Sequence, residues 1–190
     1  DQAQESADPD NKPKSYLGPI AARVIMKVFY AARVARADLL KAIGSLACYL
    51  TKWDANCDRR LHKLMCYAQS TKHWRTYGWV GDPISDITLH CYTDADFAGC
   101  TPTNKSTSGG FVSLEGPHTF LPIASFSKKQ SCVSYSTPEA ELVAGATVLQ
   151  TCGSPGMVLW EQLSAPSGNL RSKRAASQKQ AINFHADNEA

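Results

Sequence analysis

The stretch Ile87-Thr88-Leu89-His90-Cys91-Tyr92-Thr93-Asp94-Ala95-Asp96 decides the fold. Ile87, Leu89 and Cys91 fall on one side of a period of two, and Tyr92, Asp94 and Asp96 on the other, the pattern of a half-buried strand. Gly99–Ser108 then reads as a loop, Gly110–Leu114 as a strand, and Glu115-Gly116-Pro117-His118 as a turn into a strand over Thr119–Ser127. Pro122 lacks a ladder N–H, which assigns this third strand to a sheet edge. A helix opens at Ser136-Thr137-Pro138-Glu139 and runs through Leu149; Gly153-Ser154-Pro155-Gly156 should break it before a short helix over Met157–Leu163. Residues 164–180 read as a loose basic loop, and Ala181–Asp187 as a last strand. That order predicts a mixed α/β domain on an antiparallel hairpin sheet.

Upstream the period changes to that of helices. Ile20, Val24, Ile25, Val28, Phe29 and Ala32 recur at helical spacing, with Pro19 suited to a first turn. Leu39, Leu40, Ile43, Leu46, Ala47 and Leu50 form a second amphipathic run with Asp38 as its expected N-cap. Leu61, Leu64, Met65 and Ala68 form a third. Three parts follow: a polar, acidic tail over 1–17, a helical segment over 18–82, and the α/β domain over 83–190. Between residues 52 and 75, six basic residues (Lys52, Arg59, Arg60, Lys63, Lys72, Arg75) face only Asp54 and Asp58. Two readings stand equal for this helix: a solvated face, or a surface that follows a nucleic-acid backbone.

The 190 residues are 43% hydrophobic, enough for a core, and carry a formal charge of +3, which excludes a histone-like polycation. No uninterrupted apolar run reaches the roughly 18 residues of a membrane span, and no basic-then-apolar leader opens the chain, so a soluble protein is expected. Seven cysteines, an odd number with no CxxC pair, read as reduced, intracellular residues. The first residue is Asp1 and the chain stops at Ala190 without a terminating signal, from which a piece of something longer is expected.

Carboxylates occupy three telling places: Asp94 and Asp96 at the end of the first strand, Glu139 and Glu141 in the first turn of a helix, and Asp187 at the end of the last strand. Singly, each reads as a cap or turn residue. Jointly, they are hard oxygen donors that could converge on one sheet edge and hold Mg²⁺. Ser136 and Glu139 have the spacing of a capping box, which leaves Glu141, about 200° further round the helix, to face the sheet. His90 and His185 read as packed strand residues ahead of any ligand or base role.

Several motifs carry a resemblance: Tyr92-Thr93-Asp94-Ala95-Asp96-Phe97-Ala98-Gly99, Lys105-Ser106-Thr107-Ser108-Gly109-Gly110, Ser127-Lys128-Lys129-Gln130, Ser136-Thr137-Pro138-Glu139-Ala140-Glu141-Leu142 and Asp187-Asn188. In order and spacing the set resembles the RNase H domain of copia-type retrotransposon Pol polyproteins. Arg36-Ala37-Asp38-Leu39 and His73-Trp74 are similar to the connection that follows reverse transcriptase in that family. The resemblance covers about residues 18–190. It departs at Phe97 and Phe126, where the family usually has Trp, and at Pro138, where it has a hydroxyl residue.

The resemblance implies an RNase H-like mixed sheet, three antiparallel strands plus a last strand parallel to the first, with helices. It implies a metal-dependent endonuclease that cleaves the RNA strand of RNA–DNA hybrids within the Pol polyprotein. Asp94, Glu141 and Asp187 would be its catalytic, metal-holding residues, with Asp96 next to them. The implied cofactor is a pair of Mg²⁺ ions, with Mn²⁺ as a substitute. Lys105, Lys128, Lys129, Arg59, Arg60 and Lys63 are the nucleic-acid-binding candidates, although exposed lysines kept for solubility read as well. The expected partners are the hybrid and the rest of the polyprotein, with no membrane and no small-molecule cofactor, in an intracellular particle or the nucleus. In the family a final strand and helix bring a fourth carboxylate; they would follow Ala190, so weak or absent cleavage is expected of this chain. The helical part holds no paired-aspartate motif of a reverse transcriptase. The alternative is a non-catalytic nucleic-acid-binding or interaction remnant of a decayed element.

Overall fold

The computed structural model describes residues 15–100, 103–164 and 181–186. The chain divides into two units between Arg75 and Thr76. In the first, helix α1 (Gly18–Ala35) starts with Pro19 in its opening turn, where a missing N–H costs nothing. Helix α2 spans Leu40–Ala47 and α3 spans Ala55–Ser70. Their apolar stripes meet in a core of Ile25, Ile43, Leu46, Cys57, Leu61 and Leu64. Asp54 caps α3 by accepting the Cys57 amide at 2.7 Å.

Asp38 does not cap α2 as its position suggested. It lies in a 3-10 turn, Ala37–Leu39, and its carboxylate is held by the Arg36 guanidinium at 2.8 and 2.9 Å. A bidentate partner two residues away outcompetes a single backbone amide. Arg36 also donates to the Thr71 hydroxyl and carbonyl, which ties the end of α1 to the end of α3.

The second unit is built on four strands, β1 (Thr88–Cys100), β2 (Lys105–Gly116), β3 (Thr119–Lys129) and β4 (Ile182–Ala186), in the order β3-β2-β1-β4. β1–β2 and β2–β3 are antiparallel, and β4 runs parallel to β1. The mixed sheet expected from the sequence is therefore present. Pro122 sits on an outer strand, next to a register shift between Val112 and Ser113. One short bridge, Trp79 with Phe120, lies outside β3, and Asp82 accepts the His118 amide. Residues 76–82 thus strap onto the hairpin, whereas the sequence reading set the boundary at 82/83.

Two expectations need correction. Gly99–Ser108 is not a loop throughout: β1 continues to Cys100 and β2 begins at Lys105. The register shifts between Asp96 and Cys100, and Ala98 takes a positive φ of 51°, so a bulge hides the pairing from the sequence pattern. Nor does Gly153-Ser154-Pro155-Gly156 break the helix. Helix α4 (Thr137–Val148) passes through a π-helical turn, Leu149–Gly153, into α5 (Ser154–Ser164). The wider turn leaves Pro155 at the start of α5, where it needs no donor. This run of 28 residues is long and apolar enough to cross a membrane by length and composition alone, which the uninterrupted-run reading did not register. Here its inner face packs on the sheet: Val148 and Trp160 join Leu89, Cys91, Val112 and Leu114, while Ala140 and Ala144 cover Ala95.

Close packing depends on glycine at two positions. A Cβ on Gly110 would fall 2.4 Å from the Phe126 ring and 2.7 Å from Val148, and one on Gly145 would fall 2.9 Å from Phe184. These absences of a side chain let α4 lie flat against β2 and β4. Residues 1–14 of the tail expected over 1–17, residues 165–180 of the loop expected over 164–180, and residues 101–102 and 187–190 lie outside the described residues.

Candidate functional site

Ser136 starts the site by fixing how α4 begins. It is the N-cap, with its hydroxyl accepting the Glu139 amide at 3.4 Å. The Glu139 carboxylate turns back, as a capping box requires, but takes the Tyr135 amide at 2.8 Å rather than that of Ser136. The amide one residue earlier is the one the extended N-cap backbone presents to it. Glu139 is thus occupied at the outside of the cap. Glu141, two residues on, points to the sheet and accepts the Ala95 amide on Oε1 at 3.1 Å.

Buried polar groups hold this turn in place. Gln130, at the end of the Ser127-Lys128-Lys129-Gln130 motif, is 6% exposed. Its Nε2 donates to the Ser108 hydroxyl at 3.0 Å and to the Ala140 carbonyl at 2.9 Å, and its Oε1 accepts from Ser134. Strand β2, the loop after β3 and the first turn of α4 are thereby tied to one side chain. The motif serines and Gln130 orient the turn that carries Glu141.

Asp94 is exposed on β1, paired across the strand with Gly109. Leu89, Cys91, Thr93 and Ala95 face the helices, so Asp94 projects from the opposite face. Asp94 and Glu141 therefore flank one peptide, the Asp94–Ala95 link, from its two sides. β4 reaches the same place: Ala186 pairs with Thr93. Asp187 lies outside the described residues. Asp96 is turned against Gly99, where a Cβ would fall 2.2 Å from its Oδ1. The donors are right in kind for a hard dication but short in number. Among the described residues no group of three or more His, Cys, Asp or Glu is placed to hold a metal ion.

The basic candidates separate by what they touch. Lys105 donates to the Ser131 carbonyl, Lys129 to the Cys100 sulfur, and Arg60 to the Ser45 hydroxyl while it stacks over the Tyr49 ring. Lys128, Arg59 and Lys63 are exposed. Arg59, Arg60 and Lys63 belong to the helical unit, and Lys105, Lys128 and Lys129 to the sheet-bearing one.

His90 and His185, read from the sequence as packed strand residues, join in one polar cluster that the sequence reading did not assemble. On the face away from α4, His90 Nδ1 lies 2.9 Å from His185 Nε2, and the Tyr92 ring stacks on His185 at 4.4 Å. Tyr92 donates to Glu115, and both burial and that carboxylate push its phenol up. The signal available was the alternation itself, which puts His90 and Tyr92 on one face; the parallel pairing that adds His185 was needed as well.

No protein-family model and no solved structure matches the chain. Three proteins do. Secreted RxLR effector protein 161 of Plasmopara viticola is 34% identical over 122 residues, 62% of this chain and 78% of that protein. The Retrovirus-related Pol polyprotein from transposon TNT 1-94 of Nicotiana tabacum is 30% identical over 129 residues, and that from transposon RE2 of Arabidopsis thaliana 36% over 106. These matches span 62% and 56% of this chain but only 8% and 7% of the polyproteins. The chain thus belongs to one family with the Plasmopara viticola protein and is homologous to a short segment of the retrovirus-related Pol polyproteins of plant transposons.

Proposed function

We propose that the sheet-bearing unit is an RNase H-type endonuclease domain, derived from a copia-type Pol polyprotein, acting on the RNA strand of RNA–DNA hybrids. Asp94, Glu141 and Asp187 are its metal-holding carboxylates and Mg²⁺ the ion, with Mn²⁺ as substitute. The observation that carries this reading is the Glu141–Ala95 hydrogen bond, which brings the helical carboxylate to the peptide that follows Asp94. Bound divalent ions would supply an activated water and charge stabilisation at the phosphate. The chain's own part is to hold α4 against β1 through Gln130, Ala140 and Ala144. Lys128 and its neighbours would meet phosphates, and a hybrid would be told from DNA by its 2′-hydroxyls.

A second reading, a non-catalytic binding remnant, draws on the Plasmopara viticola relative. There the matched region makes up 78% of a protein whose name describes an effector, not a polyprotein. One assay separates the two. Hybrid labelled in its RNA strand is incubated with the chain extended at its C-terminus by the segment that follows in a Pol polyprotein relative, and with the Asp94→Asn and Glu141→Gln variants of that extended chain, with Mg²⁺ or with chelator. Mg²⁺-dependent cleavage lost in both variants supports the nuclease. Binding without cleavage, in Mg²⁺ as in chelator, selects the remnant.

A further inference from the structure

Lys129, the last residue of β3, reaches across β2 to Cys100, the last residue of β1, with Nζ 2.6 Å from Sγ. Cys100 pairs with Lys105, and Lys129 pairs with Thr107. The two flanking strands thus deliver an amine and a thiol to one point near the β1–β2 hairpin. The separation is closer than ordinary nitrogen–sulfur van der Waals contact and places the amine within reach of bond formation. Both residues are half-buried, so a small oxidant can enter while the pair stays positioned.

The surroundings favour the reactive form of the sulfur. Hydrogen bonds from Lys129 and Thr103 hold the Cys100 thiol below the usual thiol range, against the opposing effect of burial. The amides of Thr103 and Asn104 both donate to the Cys100 carbonyl and fix its backbone. Cys57 and Cys91 are the reverse case, with burial pushing their thiols up. The thiolate is the species that peroxides oxidise.

We propose that Cys100 and Lys129 form an oxidation-dependent covalent crosslink, a sulfenamide, when the protein meets hydrogen peroxide. The thiolate takes one oxygen as the O–O bond breaks, giving a sulfenic acid and hydroxide; the hydroxide removes a proton from the Lys129 ammonium and becomes water. The neutral amine attacks the sulfur, the S–O bond breaks, and the departing hydroxide takes an amine proton to form a second water. Sulfur is oxidised by two electrons and peroxide reduced by two. Sulfenic acids condense with nitrogen in this way when one is held against them. The bond staples the end of β1 to the end of β3 and removes the Lys129 charge. Thiol reductant cleaves it. The crosslink does not depend on the nuclease reading, although Lys129 is one of the phosphate candidates of that reading.

The test is peptide mapping of the whole chain after peroxide treatment. The tryptic peptide carrying Cys100 should appear joined to the one carrying Lys129, lighter by two hydrogens than their sum. Trypsin should fail after Lys129, and dithiothreitol should restore both peptides. In Lys129→Arg, which keeps a cation beside the sulfur but lacks the nucleophilic amine, and in Lys129→Gln, the linked species should vanish and Cys100 should accumulate as a dimedone-trapped sulfenic acid. The exposed Cys48, Cys66 and Cys132 serve as controls, labelling equally in all three proteins. Recovery of unlinked Lys129, with Cys100 labelled as fully in the native chain as in the variants, overturns the proposal. So does Cys100 found in a disulfide.

Discussion

Glu141 Oε1 accepts the amide proton of Ala95 at 3.1 Å, so the carboxylate of helix α4 is anchored on the backbone of strand β1. Ala95 is itself buried under Ala140 and Ala144. An amide in that place has no water to turn to, so its acceptor matters to folding as well as to any chemistry. The two duties separate by substitution. Glu141→Gln keeps an acceptor oxygen and should hold stability within about 1 kcal/mol, whereas Glu141→Ala leaves the amide unmet and should cost about 1–3 kcal/mol. On the nuclease reading both lose cleavage in the C-terminally extended chain. Glu139→Gln, still able to accept from Tyr135, should keep activity, and Glu139→Ala should lose about 0.5–1 kcal/mol as a partial cap. Thermal melts alongside hybrid cleavage decide; a dead Glu139→Gln beside an active Glu141→Gln would reverse the assignment.

Gln130 is a positioning residue in this scheme. Replacing it with Leu keeps much of the volume but strips the donors from Ser108 and Ala140 inside the core. The expected loss is about 1–3 kcal/mol. Amide hydrogen exchange at Ala95 should accelerate more than in strand β3, because the turn carrying Glu141 is released. Equal acceleration across the sheet would show that Gln130 only adds global stability.

How much of this was legible in sequence follows the physics of each element. The strand Thr88–Asp96 announced itself because one face is dry and the other wet, and Pro122 announced an edge because it lacks a donor. The β1–β2 extension over Lys105–Ser108 was not legible: its buried side chains are serines, and their burial depends on partners such as Gln130 and Ala98. The capping role of Asp38 failed because Arg36 competes for it, a fact of side-chain geometry. Pro155 misled because a π-helical turn can absorb a missing donor. In the site, the capping-box spacing separated Glu139 from Glu141 in advance; the tie to Ala95 needed the register of α4 on the sheet.

The glycine at position 110 tests whether α4 is as close as described. A methyl there meets the Phe126 ring and Val148 at once. Gly110→Ala should therefore destabilise by about 1–3 kcal/mol, as overpacking does. Adding Phe126→Leu to Gly110→Ala should recover part of that loss, since the ring is the nearer obstacle. Denaturant midpoints of the two single variants and the double give the coupling directly. Strict additivity would mean that the helix had simply moved away.

The helical unit carries a titration of its own at Asp58. Its carboxylate receives the Trp53 indole N–H at 2.7 Å, the Tyr16 amide at 2.7 Å, the Leu17 amide and the Ser15 hydroxyl. Burial pushes the Asp58 carboxyl up, but these donors together outweigh it and hold the group below its ordinary value of 3.8. The folded form thus binds the proton more weakly than the unfolded form. Its contribution is present in full above the unfolded value and drains away as pH falls through the folded one. Asp58→Asn keeps one acceptor oxygen and loses the charge. The native chain should lose helical-unit stability on acidification below pH 3.8 more steeply than Asp58→Asn, and the two curves should run parallel above about pH 5, offset in favour of the native chain. Helical ellipticity followed through urea melts at stepped pH measures this. Identical acid limbs in the two proteins would mean that the donors around Asp58 do not favour its charged form.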